Sequence, residues 1–260
     1  MSLRMLPARA GALLAALLVS ASALAADVAV ISSGGFTAAY DALAPRFEQS
    51  TEHKVRSHYG ASMGNAPDSI PSRLARGESF DVLILARSAL DRLVAEGKVV
   101  AGSQVDLGLS KIGVAVRAGA PKPDVSTVEA LRRTLLEAES IAYSASASGT
   151  YLSTELFQKM GVADRVLPKA RRILSERVGT VVARGDAQLG FQQVSELLPI
   201  PGIEFVGTIP DEVNQIIPFS AGIAVGAREP EAARELIRYL ASPAAAPAIR
   251  ATGLTPLAAP

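Results

Sequence analysis

Serine residues alternate along one short segment of this chain, directly before an expected helix. Residues 140–151 read SIAYSASASGTY and contain Ser144, Ser146, Ser148 and Gly149. Alternate residues of an extended segment point the same way, and the start of a helix leaves backbone N–H groups free. Hydroxyls and free N–H groups together bind small anions. One serine would be enough to cap the helix, so we expect these four residues to contact a ligand.

A second serine-rich turn lies near the start of the chain, again between an expected strand and an expected helix. It reads ISSGGF over residues 31–36, and a similar turn, GASMG, follows at residues 60–64. Open α/β sheets bind ligands at such strand-to-helix turns, although a tight turn that uses glycine for backbone freedom is the alternative. The candidate ligand-binding residues of the two turns are Ser32, Ser33, Gly34, Ser62 and Met63.

Polar residues also follow two apolar strands. Arg87 follows FDVLILA at residues 80–86, and a guanidinium group can bind a carboxylate through two hydrogen bonds. The alternative is an ion pair with Asp91, one helical turn later. Gln192 and Gln193 follow a short apolar segment, where their amides could bind a ligand. The alternative is that both are surface amides. We include Arg87 and both glutamines among the candidate ligand-binding residues.

Few residues are available for nucleophilic or proton-transfer chemistry. The chain has two histidines, His53 and His58, and no cysteine. Thiol nucleophiles, disulfides and cysteine-ligated metals are therefore excluded, and a serine protease-like triad or a zinc site with several histidines is disfavoured. If the protein is an enzyme, the candidates for moving a proton are His58, Tyr59 and Glu196. The sequence does not choose among them, and a partly exposed strand position is the simpler interpretation of His58.

The N-terminal segment has the pattern of a secretory signal peptide. Arg4 and Arg9 precede an apolar stretch at residues 11–19, and residues 23–25 (ALA) fit a small-x-small cleavage site. Cleavage after Ala25 would leave 235 residues with a formal charge of −1 instead of +1. That charge argues against nucleic acid as a partner, and no second long apolar run indicates membrane insertion. We expect a periplasmic protein.

The rest of the chain alternates expected strands with expected helices, which is typical of an α/β fold with parallel strands. The nearly unbroken apolar strand at residues 80–86 favours burial on both faces of a sheet. A new region begins near residue 111, and an extended segment at residues 216–225 precedes two C-terminal helices. This alternation does not by itself divide the chain into two lobes.

Four segments, in their order and spacing, resemble the periplasmic solute-binding proteins of the molybdate-binding type. They are VAVISSGGFTAAYDALAPRFEQST, GAS followed by SRLARGESFDVLILA, YSASASGTYLSTELFQKMGV, and GDAQLGFQQVSEL. The resemblance implies a type II periplasmic-binding-protein fold: two α/β lobes with mostly parallel sheets and flanking helices, and a ligand cleft between the lobes. It implies a first lobe of residues 26–110 with 221–260 and a second lobe of residues 111–220. It also adds Tyr151 to the candidate ligand-binding residues.

Three positions depart from the molybdate-binding pattern. Gly35 stands where those proteins have a serine, Gln193 where they have a tyrosine, and residues 86–88 (ARS) where they have Ser-Ala-Asp. Arginine and amide groups suit a di- or tricarboxylate better than molybdate. The segments ISSGGF, SMG, DSIPSRLARGE and GFQQVSELLPI resemble a branch of this fold that includes periplasmic aconitate isomerases.

The branch resemblance implies an isomerase that converts trans-aconitate to cis-aconitate by an allylic proton shift, with no cofactor and no metal. The alternative is a non-catalytic receptor that passes a carboxylate, or a tetrahedral oxyanion such as molybdate, to an ABC transporter in the membrane. Under both hypotheses we expect a small anionic ligand, a tricarboxylate under the first, and a monomeric protein.

Overall fold

Two β-sheets organise the chain. The computed structural model describes residues 25–257, so the expected signal peptide, residues 1–25, lies outside the described residues except for Ala25. In this part of the chain the strands are β1 (Asp27–Ser33), β2 (Lys54–Gly60), β3 (Val82–Ala86), β4 (Val105–Ser110), β5 (Ile112–Arg117), β6 (Ile141–Ser144), β7 (Ala170–Ile173), β8 (Leu189–Gln193), β9 (Ile203–Thr208), β10 (Ile217–Ile223) and β11 (Thr255–Pro256).

The first sheet has the strand order β11-β4-β10-β3-β1-β2, and the second has the order β7-β6-β8-β5-β9. We call the parts of the chain built on them the first lobe and the second lobe. The chain passes to the second sheet between β4 and β5 and returns between β9 and β10. Residues 217–220, which the sequence placed at the end of the second lobe, are therefore strand residues of the first sheet.

Both sheets are mixed. Strand β1 is parallel to β2 and β3, but β10 runs antiparallel to β3 and β4. Strand β6 is parallel to β7 and β8, but β5 runs antiparallel to β8 and β9. The expectation of mostly parallel sheets did not account for β5 and β10, which directly follow the two crossings between lobes and enter each sheet from the opposite end.

Helices connect and cover the strands. They are α1 (Gly34–Ser50), α2 (Ile70–Ala75), α3 (Arg87–Ala95), α4 (Val128–Glu137), α5 (Ala147–Tyr151), α6 (Phe157–Lys159), α7 (Ala163–Val166), α8 (Val178–Ala183), α9 (Val194–Leu197), α10 (Pro230–Leu240) and α11 (Ala246–Ala251). A π-helical segment, Leu152–Leu156, joins α5 to α6. Among residues 25–257, no helix has the length and apolar character needed to cross a bilayer.

Apolar side chains pack on both faces of each sheet. In the first lobe, Val30 packs in one cluster with Phe36 of α1, and its neighbour Ile31 packs in a second cluster with Leu90 of α3. Adjacent residues of a strand point to opposite faces, so a strand covered on both sides must be apolar throughout, as β3 is. The faces are thus closed, and the strand ends where α1, α5, α8 and α9 begin remain available for a ligand.

Candidate functional site

The candidate site is a cleft between the lobes, at the carboxyl ends of β1, β6, β7 and β8. It encloses a cavity of about 180 Å³. Of the residues that the sequence indicated, the cleft is lined by Gly34, Tyr59, Ser62, Ser144, Ser146, Ser148, Gln192, Gln193 and Glu196. The structure therefore brings both lobes' serine turns and both glutamines to one cavity.

The first-lobe turn contributes mainly its backbone. Ser33 is the N-cap residue of α1, but its side chain does not cap the helix, and its buried Oγ atom has no hydrogen-bond partner among the described residues. The Ser32 hydroxyl donates to the carbonyl oxygen of Ser33 at 3.3 Å. Gly34 lines the cleft, whereas Ser32 and Ser33 are not among the residues that line it. The start of α1 therefore presents free N–H groups to the cleft.

Gly35 is required by packing within the first lobe. A Cβ atom at this position would lie 2.0 Å from Cζ of Phe219, a buried ring on β10. A serine here, which the resemblance to molybdate-binding proteins led us to expect, would collide with that ring. The departure at Gly35 is thus explained by the neighbouring side chain.

The second-lobe turn places three serines on the cleft wall. Ser146 is the N-cap residue of α5 without a side-chain capping bond. The hydroxyls of Ser144 and Ser148 lie 3.1 Å apart and share a hydrogen bond. Gly149 lies behind the wall, where a Cβ atom would be 1.7 Å from the carbonyl oxygen of Ser144. The three serines line the cavity, and Gly149 allows the helix to start close to β6.

The third turn contributes Ser62 and an acid that the sequence analysis missed. The Oγ atom of Ser62 accepts a hydrogen bond from the backbone N–H of Ala86 at 3.0 Å and lines the cleft. Met63 lies in an adjoining groove and contacts Thr150 of the second lobe, with Oγ1 and Sδ 4.0 Å apart. Asp68 also lines the cleft, and its buried Oδ1 atom has no partner among residues 25–257.

Arg87 does not reach the cleft. Its guanidinium group forms ion pairs with Asp91 and with Asp106, each at 2.8 Å. These two carboxylates hold the side chain on α3 and β4, away from the cavity. The alternative that the sequence allowed, a pair with Asp91, is what the structure shows.

Arg177 supplies the positive charge that Arg87 was expected to supply. It lines the cleft at the start of α8, and no described carboxylate lies within 4.0 Å of its guanidinium nitrogens. Arg177 was not among the candidates expected from the sequence, because strand β7 was not predicted and the loop at residues 174–177 had no assigned place. The available signal was an arginine directly before the apolar helical segment VGTVVA.

Of the acidic side chains that line the cleft, Glu196 has the pKa that departs most from its ordinary value. Burial raises its pKa to about 7, and the nearby charge of Arg177 and a hydrogen bond from Gln192 only partly oppose this effect. The Nε2 atom of Gln192 donates to Oε1 of Glu196 at 2.9 Å, and Oε1 of Gln192 accepts from the backbone N–H of Val178 at 2.9 Å. Gln192 thus fixes the carboxyl group of Glu196 relative to the start of α8.

The other two proton-transfer candidates are placed less favourably. The ring of His58 packs edge-on against Phe80, 5.3 Å between centroids, and does not line the cleft. Its pKa is lowered by burial and by the positive charges of Arg73 and Arg56. Tyr59 lies at the cleft, but its hydroxyl donates to Asp41 at 2.7 Å.

Two aromatic hydroxyls are held in the neutral form. Burial and the neighbouring Asp41 raise the pKa of Tyr59 to about 12. Tyr151 lies behind the cleft wall, and its hydroxyl donates to the carbonyl oxygen of Val213 at 2.8 Å. Burial raises the pKa of Tyr151 as well. Neither phenol ionises near neutral pH.

Direct contacts hold the lobes together beside the cavity. The Ser195 hydroxyl, at the start of α9, donates to the carbonyl oxygen of Gly35 at 2.7 Å. A Cβ atom on Gly64 would lie 3.3 Å from the carbonyl oxygen of Ala145, so the third turn also approaches the second lobe closely. The structure is therefore that of a closed cleft. Within residues 25–257, no group of three or more His, Asp or Glu side chains is arranged to hold a metal ion.

Known proteins of similar sequence and structure share this architecture. Residues 28–255 match the family of bacterial extracellular solute-binding proteins. The chain is 50% identical over 252 residues to an aconitate isomerase of a Pseudomonas species, covering 95% of this chain and 96% of that protein. It is 28% identical over 241 residues to the molybdate-binding protein ModA of Azotobacter vinelandii, covering 91% and 92% of the two chains.

A solved structure of the periplasmic molybdate-binding protein of Azotobacter vinelandii has the same fold. It matches with a TM-score of 0.70 at 22% identity, over 88% of this chain and 98% of that chain. The expected two-lobed α/β fold and the resemblance to the molybdate-binding type and its isomerase branch are confirmed. This chain belongs to the family of bacterial extracellular solute-binding proteins.

Proposed function

We propose that this protein is an aconitate isomerase of the periplasm, which interconverts trans-aconitate and cis-aconitate by moving one proton. The observation that carries the proposal is Glu196, a partly buried carboxyl group that lines the cleft, is held by Gln192 and has a pKa raised to about 7. A general base works best when its pKa lies near the working pH. The 50% identity to an aconitate isomerase supports the same conclusion.

The cleft offers three kinds of group for the carboxylates of the substrate. The guanidinium of Arg177 can bind one carboxylate through two hydrogen bonds. The starts of α1 and α5 have no side-chain cap, so their N–H groups are free to bind carboxylate oxygens from opposite sides of the cavity. The hydroxyls of Ser144, Ser146 and Ser148 add further donors.

The reaction needs one proton to leave one carbon and one to arrive at another. Glu196, as carboxylate, removes a proton from the CH₂ group of trans-aconitate. The electron pair released forms a new double bond to the central carbon, and the old double bond shifts its electrons onto the adjacent carbon and carboxylate. Protonated Glu196 then returns the proton to that carbon, so the double bond has moved by one position and the charge is unchanged.

Negative charge spreads onto a substrate carboxylate between these two proton transfers. Donors already aimed at that carboxylate stabilise the charge without rearranging. Arg177 and the N–H groups at the two helix starts are suited to this task. Gln192 donates a hydrogen bond to the carboxyl group of Glu196 and acts as a positioning residue.

Proton NMR of purified protein with trans-aconitate in D₂O tests the proposal. Formation of cis-aconitate is expected for the natural protein, with deuterium at the new CH₂ position in each turnover in which the carboxyl group of Glu196 exchanges its proton with D₂O before returning it. Glu196→Gln keeps the size of the side chain but cannot accept the proton, so its rate should fall by at least about 100-fold. Tight binding of trans-aconitate by calorimetry with no turnover would overturn the isomerase.

A receptor that passes its ligand to a membrane transporter is the second candidate function. The observation that favours it is the two-lobed fold shared with a molybdate-binding protein. Under this function the cleft would bind a carboxylate or a tetrahedral oxyanion and do no chemistry. Calorimetry with trans-aconitate and with molybdate, beside the NMR assay, separates the two functions. For both, we propose a monomeric periplasmic protein.

A further inference from the structure

Two neighbouring glutamines in the cleft wall, Gln192 and Gln193, differ in whether their side-chain amides have hydrogen-bond partners. Both ends of the Gln192 amide are used, by Val178 and by Glu196. Gln193 is only 2% exposed, and neither its Nε2 nor its Oε1 atom has a hydrogen-bond partner among residues 25–257. A buried amide without partners is costly, so Gln193 is suited to a ligand group that fills both of its hydrogen-bonding positions.

An amide offers one donor group and one acceptor oxygen, side by side. A carboxylate can only accept hydrogen bonds, so it satisfies Nε2 and leaves Oε1 without a donor. A carboxylate with a hydroxyl on the adjacent carbon satisfies both, because the hydroxyl donates to Oε1 while a carboxylate oxygen accepts from Nε2. The three carboxylates of ionised aconitate provide no such donor.

We propose that the cleft also binds α-hydroxy tricarboxylates, and that the amide of Gln193 recognises their hydroxyl and adjacent carboxylate together. This inference rests on the proposed function, because it assigns a further ligand class to the same cleft. Such a ligand has no carbon–carbon double bond, so no allylic proton shift can follow. It therefore acts as a competitive inhibitor of the isomerase.

Asp68 is a second cleft residue with a buried acceptor, Oδ1, that has no partner among residues 25–257. It is less suited to recognise a hydroxyl in a tricarboxylate, because its negative charge repels the neighbouring carboxylates. It is also partly exposed, whereas Gln193 is almost fully buried. Asp68 therefore provides a matched control: a polar side chain in the same cavity that the hydroxyl does not contact.

Citrate and tricarballylate are a suitable pair of probes, since they differ only by the hydroxyl group. Calorimetry should show citrate binding roughly 3- to 10-fold more tightly than tricarballylate to the natural protein, the ratio expected for one hydrogen bond. Gln193→Met removes both amide atoms at similar length and should reduce the ratio to about 1. Asp68→Asn should retain the ratio, although both ligands gain affinity.

Equal affinity of the two probes for the natural protein would overturn the inference, as would a ratio that persists in Gln193→Met. Gln193→Asn retains the amide but withdraws it by one carbon; if Gln193→Met does not fold, a ratio unchanged in Gln193→Asn would overturn the inference instead. The NMR assay of aconitate turnover is read separately. A protein without turnover that still prefers citrate through Gln193 would refute the isomerase alone, and an active isomerase without that preference would refute this inference alone.

Discussion

The carboxyl group of Glu196 lies against the backbone of Gly34, across the boundary between the lobes. A Cβ atom on Gly34 would be 2.0 Å from Oε1 of Glu196. The hydroxyl of Ser195, the residue before Glu196, donates to the carbonyl oxygen of Gly35, the residue after Gly34, at 2.7 Å. The carboxyl group of Glu196 therefore contacts Gly34 only when the lobes are closed and position 34 has no side chain.

Gly34→Ala should reduce turnover and leave the protein folded. The added methyl group meets the end of a flexible side chain, so Glu196 can turn away from the cavity at small cost in stability. A displacement of about 1 Å at a reacting group can lower the rate by about 100-fold. Steady-state kinetics, with the melting temperature as the control, measure both effects.

Gly35→Ala is the matched comparison, because its methyl group meets the buried ring of Phe219 instead. We expect it to lower the free energy of unfolding by about 1–3 kcal/mol through overpacking. If Gly34→Ala leaves the kinetics unchanged, the close contact between position 34 and the carboxyl group of Glu196 is contradicted.

Turnover should increase with pH through a transition near pH 7. The pKa of Glu196 is about 7, raised chiefly by burial, and the base must be ionised to take the proton. The profile of kcat/KM against pH measures this transition. Tyr59→Phe and His58→Gln should leave its midpoint in place, and a midpoint that moves in either variant would assign the proton transfer to that residue.

Glu196→Gln should make the protein more stable, but only above acidic pH. The folded state raises the pKa of Glu196 from 4.5 to about 7, so below pH 4.5 the group is protonated in both states and costs little. Between pH 4.5 and pH 7 the carboxyl group ionises in the unfolded state but stays protonated in the folded state, so the natural protein loses stability, by on the order of 3 kcal/mol. Denaturant unfolding of both proteins at pH 4.5 and pH 8 gives the difference, which should be near zero at the lower pH.

Arg177→Ala should weaken binding of trans-aconitate by roughly 10- to 100-fold, the loss of one or more charge-assisted hydrogen bonds. Arg87→Ala is the control of equal charge: its guanidinium is used by Asp91 and Asp106, outside the cleft. Calorimetry at one salt concentration compares the two variants. A loss of affinity in Arg87→Ala together with none in Arg177→Ala would reverse our placement of the cleft cation.

Ser195→Ala should weaken ligand binding without changing any cleft-wall group that we expect to touch the ligand. It removes the hydrogen bond to Gly35 that holds the lobes closed, at a cost of about 1 kcal/mol, or roughly fivefold in affinity. Calorimetry measures the affinity, and small-angle scattering of the ligand-free protein should show a more open average shape. An unaltered shape and affinity would mean that other contacts maintain closure.

The sequence by itself predicted the order of the main elements, the α/β class and the polar turns. These features are local: alternating serines, apolar runs and glycines occur next to one another in the chain, and each turn follows a strand and precedes a helix. The resemblance carried by four segments led to the correct family. Serines 144, 146 and 148, Gln192, Gln193 and Glu196 all line one cavity because the carboxyl ends of β6 and β8 meet there.

Only the tertiary structure decided which charges enter the cleft. Arg87 and Arg177 carry the same charge, and each lies where a helix begins. Two carboxylates, Asp91 on the next helical turn and Asp106 on β4, hold Arg87 outside the cleft. The position of Glu196 against Gly34 depends on contact between lobes that are far apart in the chain. Its pKa follows from burial, which is a property of the assembled cleft; no neighbouring residue in the sequence could have indicated it.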